Sequence, residues 1–592
     1  MDPFEDPRRP AEERANDLVR RLSLAEKAGL MFHTVIEAGA DGAVLDGPGR
    51  IAKSATADVV QGKLLNHFNL HSLGAPRLAA RWHNAVQDLA TETPHGIPVT
   101  ISTDPRHSFL ENAGTSFTAN WFSQWPEPLG MAAIRDPELV RQFADTARRE
   151  YCAVGIRAAL HPMLDLATEP RWARCAGTFG QDPELVSALG IAWLAGFQGA
   201  ELGPESVACT CKHFPGGGPQ RDGEDAHFPY GREQVYSGGR AEAHLAPFRA
   251  AVTAGTAGIM PYYGMPIGLE LEGIDVPRVG FGFNKAVISS LLRDRLGYDG
   301  VVLSDWELVN DNHVGGQVLP ARAWGVEHLD PLGRMATILD AGCDQFGGEE
   351  CVDLLLDLVR SGRVTQARLD ESVHRLLLVK FRLGLFDDPY VDEAAAEQIV
   401  GCEDFVAAGH QAQARSVTVL KAGIAPSRGA PILALPRGTC VYVEGMDPRI
   451  VSRYARVVAD VRDAEVALVR TSAPFEPRSD LFLEASFHQG SLDFPPGFVV
   501  RMARLAATCP LLLDVAVDRP AVLTPLVPLA TGLTVNYGAS DRAYLDAVTG
   551  AIPASGRLPL DLPRSMEQVR RHHSDMPGYD DPLFPFGAGI SL

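Results

Sequence analysis

The sequence predicts an α/β protein with two domains, a parallel (β/α) barrel followed by a smaller α/β sandwich. Three observations indicate this architecture. The chain of 592 residues is too long for one ordinary hydrophobic core. From about residue 95, short apolar runs alternate with segments of helical periodicity, which is typical of parallel sheets covered by helices. A second alternating block begins after residue 430.

The barrel strands are predicted from apolar runs that end in polar residues. These runs are Ile97–Asp104, Gly155–Asp165, Ser206–His213, Ala257–Tyr263 and Gly300–Trp306. Helical periodicity predicts helices between them over Asp136–Tyr151 and Asn284–Gly297. The chemistry of such barrels collects at the C-terminal ends of the strands, so the polar residues there are the first candidates for a site. They are Asp104, Lys212, His213, Tyr263 and Asp305.

The second block predicts a smaller sheet with its own helices. Its predicted strands are Thr439–Gly445, Glu465–Thr471, Cys509–Val517 and Gly532–Gly538. Helical stretches near 449–459, 498–507 and 542–548 separate them. We therefore predict a barrel domain over residues 1–390, a linker over 391–430 and a second domain over 431–592.

Composition and charge exclude several classes of protein. Lys and Arg number 54 against 74 Asp and Glu, a net charge of −20 that argues against nucleic acid or an anionic membrane as the main partner. With 46% hydrophobic and 22% charged residues the chain has the composition of a globular protein. Its nine cysteines contain no C-x-x-C pair, so neither a disulfide scaffold nor a zinc ribbon is expected.

Three motifs place reactive or sugar-binding side chains at strand ends. SDW (Ser304–Trp306) brings a carboxylate that can attack an electrophilic carbon and an indole that can stack on a sugar ring. KHFPGGG (Lys212–Gly218) adds a cation and an imidazole, and RWARC (Arg171–Cys175) adds two guanidinium groups. Taken alone, SDW is better explained by an Asp that caps a helix or pairs with an Arg, and the other two motifs are equally compatible with structural ion pairs. Together they indicate a sugar site and lack the spacing of a phosphate loop.

Segments distributed along nearly the whole chain carry a resemblance to a known family. They are Leu18–Phe32, Glu169–Cys175, Lys212–Gly218, Leu291–Trp306, Gly362–Asp392, Ile552–Pro563 and Pro582–Ser591. In these segments and in their order the chain resembles glycoside hydrolase family 3. The resemblance implies a (β/α)8-type (TIM-like) barrel followed by an (α/β)6 sandwich, with the active site at their junction.

The resemblance also implies roles for individual residues. Asp305 corresponds to the nucleophile of the family, and neither a metal nor a cofactor is expected. The residues that would hold, line or pack against the sugar at the cleaved end are Asp104, Arg174, Lys212, His213, Tyr263 and Trp306.

The acid/base of the family comes from a variable loop of the second domain. After strand Glu465–Thr471 the loop shows the family's order of Pro, aromatic residue and Glu, which makes Glu476 the expected proton donor and Glu484 the runner-up. Either residue could instead be an exposed loop carboxylate. A rival is His227, because Asp225-Ala226-His227 resembles the D-x-H loop of the family's N-acetylglucosaminidases, although Gly217 stands where that pattern has His.

The sequence therefore predicts a retaining, exo-acting β-glycosidase, and in the first place a β-glucosidase, that acts on a small glycoside or oligosaccharide. The alternatives are a β-N-acetylglucosaminidase with a His/Asp dyad and a catalytically silent carbohydrate-binding protein. No nucleic-acid or membrane partner is expected, and a homo-oligomer stays open. The N-terminus shows no apolar leader, so we expect a cytoplasmic location, or a secreted one if a leader has been removed.

Overall fold

A closed barrel of eight parallel strands forms the first part of the computed structural model, which describes residues 2–112, 114–117, 121–314, 316–425, 429–433 and 435–591. The strands are β1 (Phe32–Ile36), β2 (His67–Leu70), β3 (Thr100–Thr103), β4 (Ile156–Ala159), β5 (Ala208–Phe214), β6 (Gly258–Pro261), β7 (Val301–Trp306) and β8 (Gln345–Gly347). Each strand pairs with its neighbours in sequence, and β1 pairs with β8. The predicted barrel is confirmed.

Helices connect and cover these strands. They are Ala11–Arg21, Leu24–Leu30, Pro76–Thr91, Pro128–Ile134, Pro137–Ala153, Pro183–Gln198, Ala241–Thr253, Pro331–Ala341, Val352–Arg360 and Gln366–Arg382, together with a π-helix over Ala286–Arg295. The tetrapeptide Asp-Pro-Glu-Leu starts two of them. In each case the Asp side chain, Asp136 or Asp182, accepts a hydrogen bond from the backbone N–H three residues on, and Pro follows at the first helical position.

Three barrel strands lack the apolar run by which the other five were predicted. β1, β2 and β8 carry polar residues that point into the barrel. The His33 Nε2 atom lies 2.7 Å from the Ser102 hydroxyl, and its Nδ1 atom lies 3.3 Å from the Gln345 amide oxygen. The buried Lys380 ammonium donates to backbone oxygens of Asn66 and Pro98 at 2.9 Å. A barrel interior with this polar content explains why the hydrophobic pattern is absent there.

The second part of the chain contains a six-stranded sheet. Its strands are β9 (Thr418–Ala422), β10 (Cys440–Glu444), β11 (Arg456–Val457), β12 (Val466–Ser472), β13 (Leu511–Ala516) and β14 (Gly532–Asn536). They lie in the order β9-β14-β13-β12-β10-β11, and all pairs are parallel except β9 with β14. The accompanying helices are Glu393–Ile399, Glu403–Ser416, Pro448–Val451, Pro496–Thr508, Asp541–Val548 and Met566–Arg571. The predicted second α/β unit is confirmed.

The sequence prediction differs from the structure at two places in this part. The helix expected near 449–459 ends at Val451, and Arg456–Val457 is a strand, in keeping with the β-branched pair Val457 and Val458. The stretch 391–430, predicted as a linker, contains two helices and strand β9, so the division of the chain at 390 and 430 stays a prediction. Within the described ranges no helix is long and apolar enough to cross a membrane.

Candidate active site

A cavity opens at the carboxyl ends of the barrel strands, and we call it the strand-end cavity. It encloses about 740 Å³ of empty space, its opening included, which lies within the usual range for small-ligand sites. All seven candidates from the barrel line it: Asp104, Arg174, Lys212, His213, Tyr263, Asp305 and Trp306. Parallel strands that close into a barrel bring their ends to one rim, so residues up to 202 positions apart in sequence meet here.

Asp305 presents a free carboxylate oxygen to the cavity. Its Oδ1 atom accepts a hydrogen bond of 2.8 Å from the Trp306 N–H, whereas the buried Oδ2 atom has no hydrogen-bond partner among the described residues. The same Trp306 N–H lies 3.1 Å from the Tyr263 hydroxyl. Burial, reinforced by the Asp305 charge, raises the pKa of Tyr263 well above its usual value. The phenol therefore stays protonated beside a carboxylate that is fixed through one oxygen only.

Asp104 and Lys212 form a buried ion pair across the cavity floor. The Lys212 ammonium donates to Asp104 Oδ1 at 2.8 Å, and the Asn69 amide donates to Asp104 Oδ2 at 3.2 Å. Burial alone would raise the pKa of the Asp104 carboxyl, but Lys212 outweighs it and the pKa lies below its usual value. Asp104 thus faces the cavity as an ionised acceptor.

Arg174 is held by a histidine that is itself held by a carboxylate. The Arg174 guanidinium lies 2.9 Å from His213 Nε2, and Asp165 Oδ2 lies 2.8 Å from His213 Nδ1. Since arginine can only donate, Nε2 must accept and Nδ1 carries the proton. Burial lowers the pKa of His213 well below its usual value, consistent with this neutral imidazole. Both ring nitrogens are therefore used in orienting Arg174, and a direct contact of His213 with sugar stays a prediction.

Three charged residues on the cavity wall were not found from the sequence. Glu307 follows the SDW motif in a left-handed backbone conformation with φ of 58°, which is uncommon for a residue other than glycine. Its carboxylate binds the Lys53 ammonium at 2.9 Å and the Arg322 guanidinium at 2.7 Å. These ion pairs hold the turn that directly follows Asp305 and Trp306. Glu307 was detectable only as an acidic neighbour of that motif.

The second domain reaches the cavity with apolar side chains. Phe482 and Leu483 belong to its lining, whereas Glu476 and Glu484 do not. Glu476 is exposed, and its Oε1 atom accepts from the Ser491 N–H at 3.1 Å. Glu484 is buried, and its carboxylate accepts from the Tyr230 hydroxyl at 2.7 Å and from two N–H groups of its own loop. The role of Glu476 as proton donor stays a prediction.

Asp225 and His227 form a buried dyad, and His227 lines the cavity. Asp225 Oδ1 lies 2.6 Å from His227 Nδ1, and its Oδ2 accepts from the Trp172 indole at 2.9 Å. Burial lowers the pKa of His227, although the Asp225 charge opposes this shift. A Cβ atom on Gly217 would lie 2.9 Å from Asp165 Oδ1. The histidine that the N-acetylglucosaminidase pattern has at that position therefore has no room unless its neighbours move.

The barrel loop that carries the dyad is tied to the second domain. The Asp225 N–H donates to the Gln489 side chain at 3.1 Å, and the Gln489 amide donates to the Tyr230 hydroxyl at 3.1 Å. Arg478 pairs with Glu224. Both candidate proton-donor loops thus belong to one connected layer above the barrel. Across the described part of the chain, no cluster of three or more His, Cys, Asp or Glu is arranged to hold a metal ion.

Comparison with known proteins decides the family. The model of the glycosyl hydrolase family 3 N-terminal domain matches residues 48–379, more than half of the chain. The chain belongs to glycosyl hydrolase family 3. It is 48% identical over 585 residues to a probable β-glucosidase C of Aspergillus oryzae, covering 98% of this chain and 90% of the relative. It is 40% identical over 609 residues to a periplasmic β-glucosidase/β-xylosidase of Dickeya chrysanthemi, covering 100% of this chain and 91% of the relative.

Solved structures support the fold of this family 3 member. A β-glucosidase from Erythrobacter marinus superposes with a TM-score of 0.79 at 21% identity, covering 100% of this chain and 84% of that one. A mutant of the Listeria innocua β-glucosidase, in complex with laminaribiose, superposes with a TM-score of 0.76 at 20% identity, covering 98% of this chain and 83% of that one. Both confirm a barrel joined to a second α/β unit.

Proposed function

We propose that this family 3 member is a retaining, exo-acting β-glucosidase that works by double displacement. One observation carries the proposal: Asp305 lines the cavity, and its buried Oδ2 atom has no hydrogen-bond partner among the described residues. A carboxylate in this state is available to attack the anomeric carbon. The names of the curated relatives support glucose as the sugar and favour neither alternative.

The polar residues of the floor are suited to hold a sugar before it reacts. Asp104, held by Lys212, offers an anionic acceptor, and Arg174, held by His213, offers donors. A closed site with such groups rejects ligands that leave them unpaired. Trp306 lies beside Asp305 on the lining and offers an apolar face to the ring. A cavity whose floor is built of buried strand ends fits the release of one terminal sugar at a time.

The double displacement also needs a proton donor for the leaving group. Glu476 remains our prediction for this role, on the order of residues in its loop. His227 is the second candidate, because it lines the cavity and its Nδ1 atom is bound to Asp225, which leaves Nε2 for the leaving-group oxygen. A neutral imidazole with the proton on Nδ1 cannot donate from Nε2, and the other neutral tautomer would place two acceptors against each other at Asp225, so His227 can donate only when both ring nitrogens carry a proton.

A panel of 4-nitrophenyl β-glycosides tests the substrate class. We expect the glucoside to be hydrolysed fastest, the xyloside more slowly, and the N-acetylglucosaminide not at all. Nuclear magnetic resonance of the first product should show β-glucose before mutarotation, since two displacements retain configuration. Preference for the N-acetylglucosaminide would show that the protein is a β-N-acetylglucosaminidase and not a β-glucosidase. Glucose binding without turnover of any glycoside would leave a carbohydrate-binding protein.

A further inference from the structure

Four buried polar atoms of the strand-end cavity have no hydrogen-bond partner among the described residues. They are Asn69 Oδ1, His71 Nδ1, Asp305 Oδ2 and Arg322 Nε. Burying such an atom without a partner costs about 1–3 kcal/mol. The Asp305 oxygen is accounted for by the proposed attack on the sugar. Asn69 and His71, at the carboxyl end of strand β2, have no part in the mechanism described so far.

The orientation of the Asn69 amide follows from its neighbour. Its Nδ2 atom lies 3.2 Å from Asp104 Oδ2, and because the Asp104 carboxylate can only accept, the amide must direct its NH₂ group there. The amide oxygen is therefore the atom left free. Asn69 is only 2% exposed, so this oxygen has little access to bulk solvent.

The Asn69 oxygen and the Asp104 carboxylate are two hydrogen-bond acceptors joined by one hydrogen bond. Such a pair matches two neighbouring hydroxyl groups of a sugar ring, each of which can donate one hydrogen. We propose that Asn69 is a specificity-determining residue that accepts a hydrogen bond from the glycone hydroxyl adjacent to the one held by Asp104. This inference rests on the proposed glycosidase function and adds strand β2 to the sugar-binding wall.

Kinetics on deoxy sugars test the proposal. The substrates are 4-nitrophenyl β-glucoside and its 2-, 3-, 4- and 6-deoxy analogues, and the variants are Asn69→Ala, with Asn69→Leu in reserve if the first fails to fold. We expect Asn69→Ala to lower kcat/KM on the glucoside by about 10- to 100-fold. On one deoxy analogue the variant and the wild type should be equal, because the hydroxyl that Asn69 binds is already missing.

A second variant separates direct contact from positioning. Asp104→Asn and the wild type should have equal kcat/KM on a different deoxy analogue. The hydroxyl missing from that analogue should be adjacent to the one missing from the analogue on which Asn69→Ala equals the wild type. If both variants are silenced by the same analogue, Asn69 acts only by orienting Asp104 and the proposal fails. It fails also if Asn69→Ala loses the same factor on every substrate, or loses nothing.

The matched control is Asn66→Ala. Asn66 is also 2% exposed and its Oδ1 atom also has no partner among the described residues, but it precedes strand β2 and does not line the cavity. Its substitution should leave the ratios between substrates unchanged. If wild type hydrolyses no glucoside, the proposed function fails, and calorimetry with glucose and the deoxyglucoses then tests Asn69 by the same pairwise comparison. Equal loss of affinity on all of these sugars would overturn the proposal there too.

Discussion

The barrel rim and the second-domain loop border the same cavity but contribute to it differently. The rim supplies interlinked charged side chains, such as the Asp104–Lys212 pair. The loop supplies Phe482 and Leu483, while the carboxylate of Glu484 is bound to Tyr230. Barrel closure fixes where strand ends lie, whereas a loop's path depends on every contact it makes. The types of residue in the sequence therefore identify functional side chains at the barrel rim. They do not identify them in the loop.

Removing the proposed nucleophile tests the rim with the largest expected effect. Asp305→Ala should lower kcat by about four orders of magnitude, because the covalent step loses its attacking group. Steady-state hydrolysis of 4-nitrophenyl glucoside measures this loss. When the wild-type protein is treated with a 2-fluoro glucoside, mass spectrometry should find the label on a peptide that contains Asp305.

The control for this variant is Asp299→Ala. Asp299 lies on the barrel surface with its side chain 89% exposed and pairs with Arg375, so activity should be unchanged. Both proteins should melt close to the wild-type temperature. A label on any other carboxylate would move the nucleophile away from strand β7.

The next largest effect concerns the loop and asks which group protonates the leaving group. Glu476→Ala should keep measurable activity on a dinitrophenyl glucoside and lose about 10²–10⁴-fold on cellobiose, because only a poor leaving group needs a proton in the first step. Azide should partly restore the remaining loss on the activated substrate, because azide attacks the glycosyl-enzyme without the general base that water needs. Rates on both substrates, with and without azide, measure this pattern.

His227→Ala and Glu484→Ala are the paired comparisons. If His227→Ala shows that pattern and Glu476→Ala behaves as wild type, the proton comes from the barrel and the loop only covers the cavity. Glu484→Ala should instead lower stability, since Glu484 accepts hydrogen bonds from Tyr230 and from its own loop. A Glu484→Ala variant that is stable but inactive on cellobiose would identify Glu484 as the proton donor.

A smaller effect is expected from the Asp104–Lys212 ion pair at the barrel rim. Lys212→Ala should lower kcat/KM roughly 30-fold, because the buried Asp104 carboxylate is left without its cation. This factor corresponds to a loss of about 2 kcal/mol in transition-state stabilisation. Lys285→Ala is the matched control, since Lys285 forms an ion pair with Asp340 in which both side chains are more than half exposed. An unchanged kcat/KM for Lys212→Ala would show that the Asp104–Lys212 ion pair is structural and does not contribute to catalysis.

The extent of sequence prediction follows the same division between regions. Asp305 could be found because Val301–Trp306 is an apolar run that ends in a polar motif. Asn69 could not, because two of the four residues of strand β2, His67 and Asn69, are polar and no apolar run marks the strand. The amphipathic pattern reports burial in a hydrophobic core, and it fails where the barrel interior is itself hydrogen-bonded.

Pairwise contacts between distant segments were the other limit. The KHFPGGG motif indicates a cation and an imidazole at a strand end, but the sequence does not show that His213 is clamped between Arg174 and Asp165. Likewise the loop sequence indicates an acid at Glu476, whereas the contact of Gln489 with the Asp225 backbone needs the folded chain. Both relations depend on tertiary packing, for which local patterns carry no signal.

The smallest expected effect lies at the contact between the two regions and is seen in stability. The Glu127 N–H donates to the Tyr537 backbone oxygen at 2.8 Å, and the Glu127 carboxylate accepts from the Phe109 and Leu110 N–H groups. Burial, with a smaller contribution from the Asp518 charge, raises the pKa of Glu127 to about 7. Glu127 therefore joins a barrel loop to the second domain through its backbone N–H, and its carboxyl holds that loop in place.

The sign of the pH effect follows from proton binding. Between about pH 4.5, near the ordinary glutamate pKa, and about pH 7, the unfolded chain releases the Glu127 proton while the folded protein keeps it. The contribution of Glu127 to stability is thus complete at low pH and is lost as pH rises through this window. Glu127→Gln cannot ionise, so its melting temperature should fall less from pH 5 to pH 7.5, by about 2 °C. Scanning calorimetry of wild type, Glu127→Gln and the exposed Glu111→Gln measures the difference, and equal pH slopes for all three would show that the Glu127 carboxyl beside this contact does not titrate in this range.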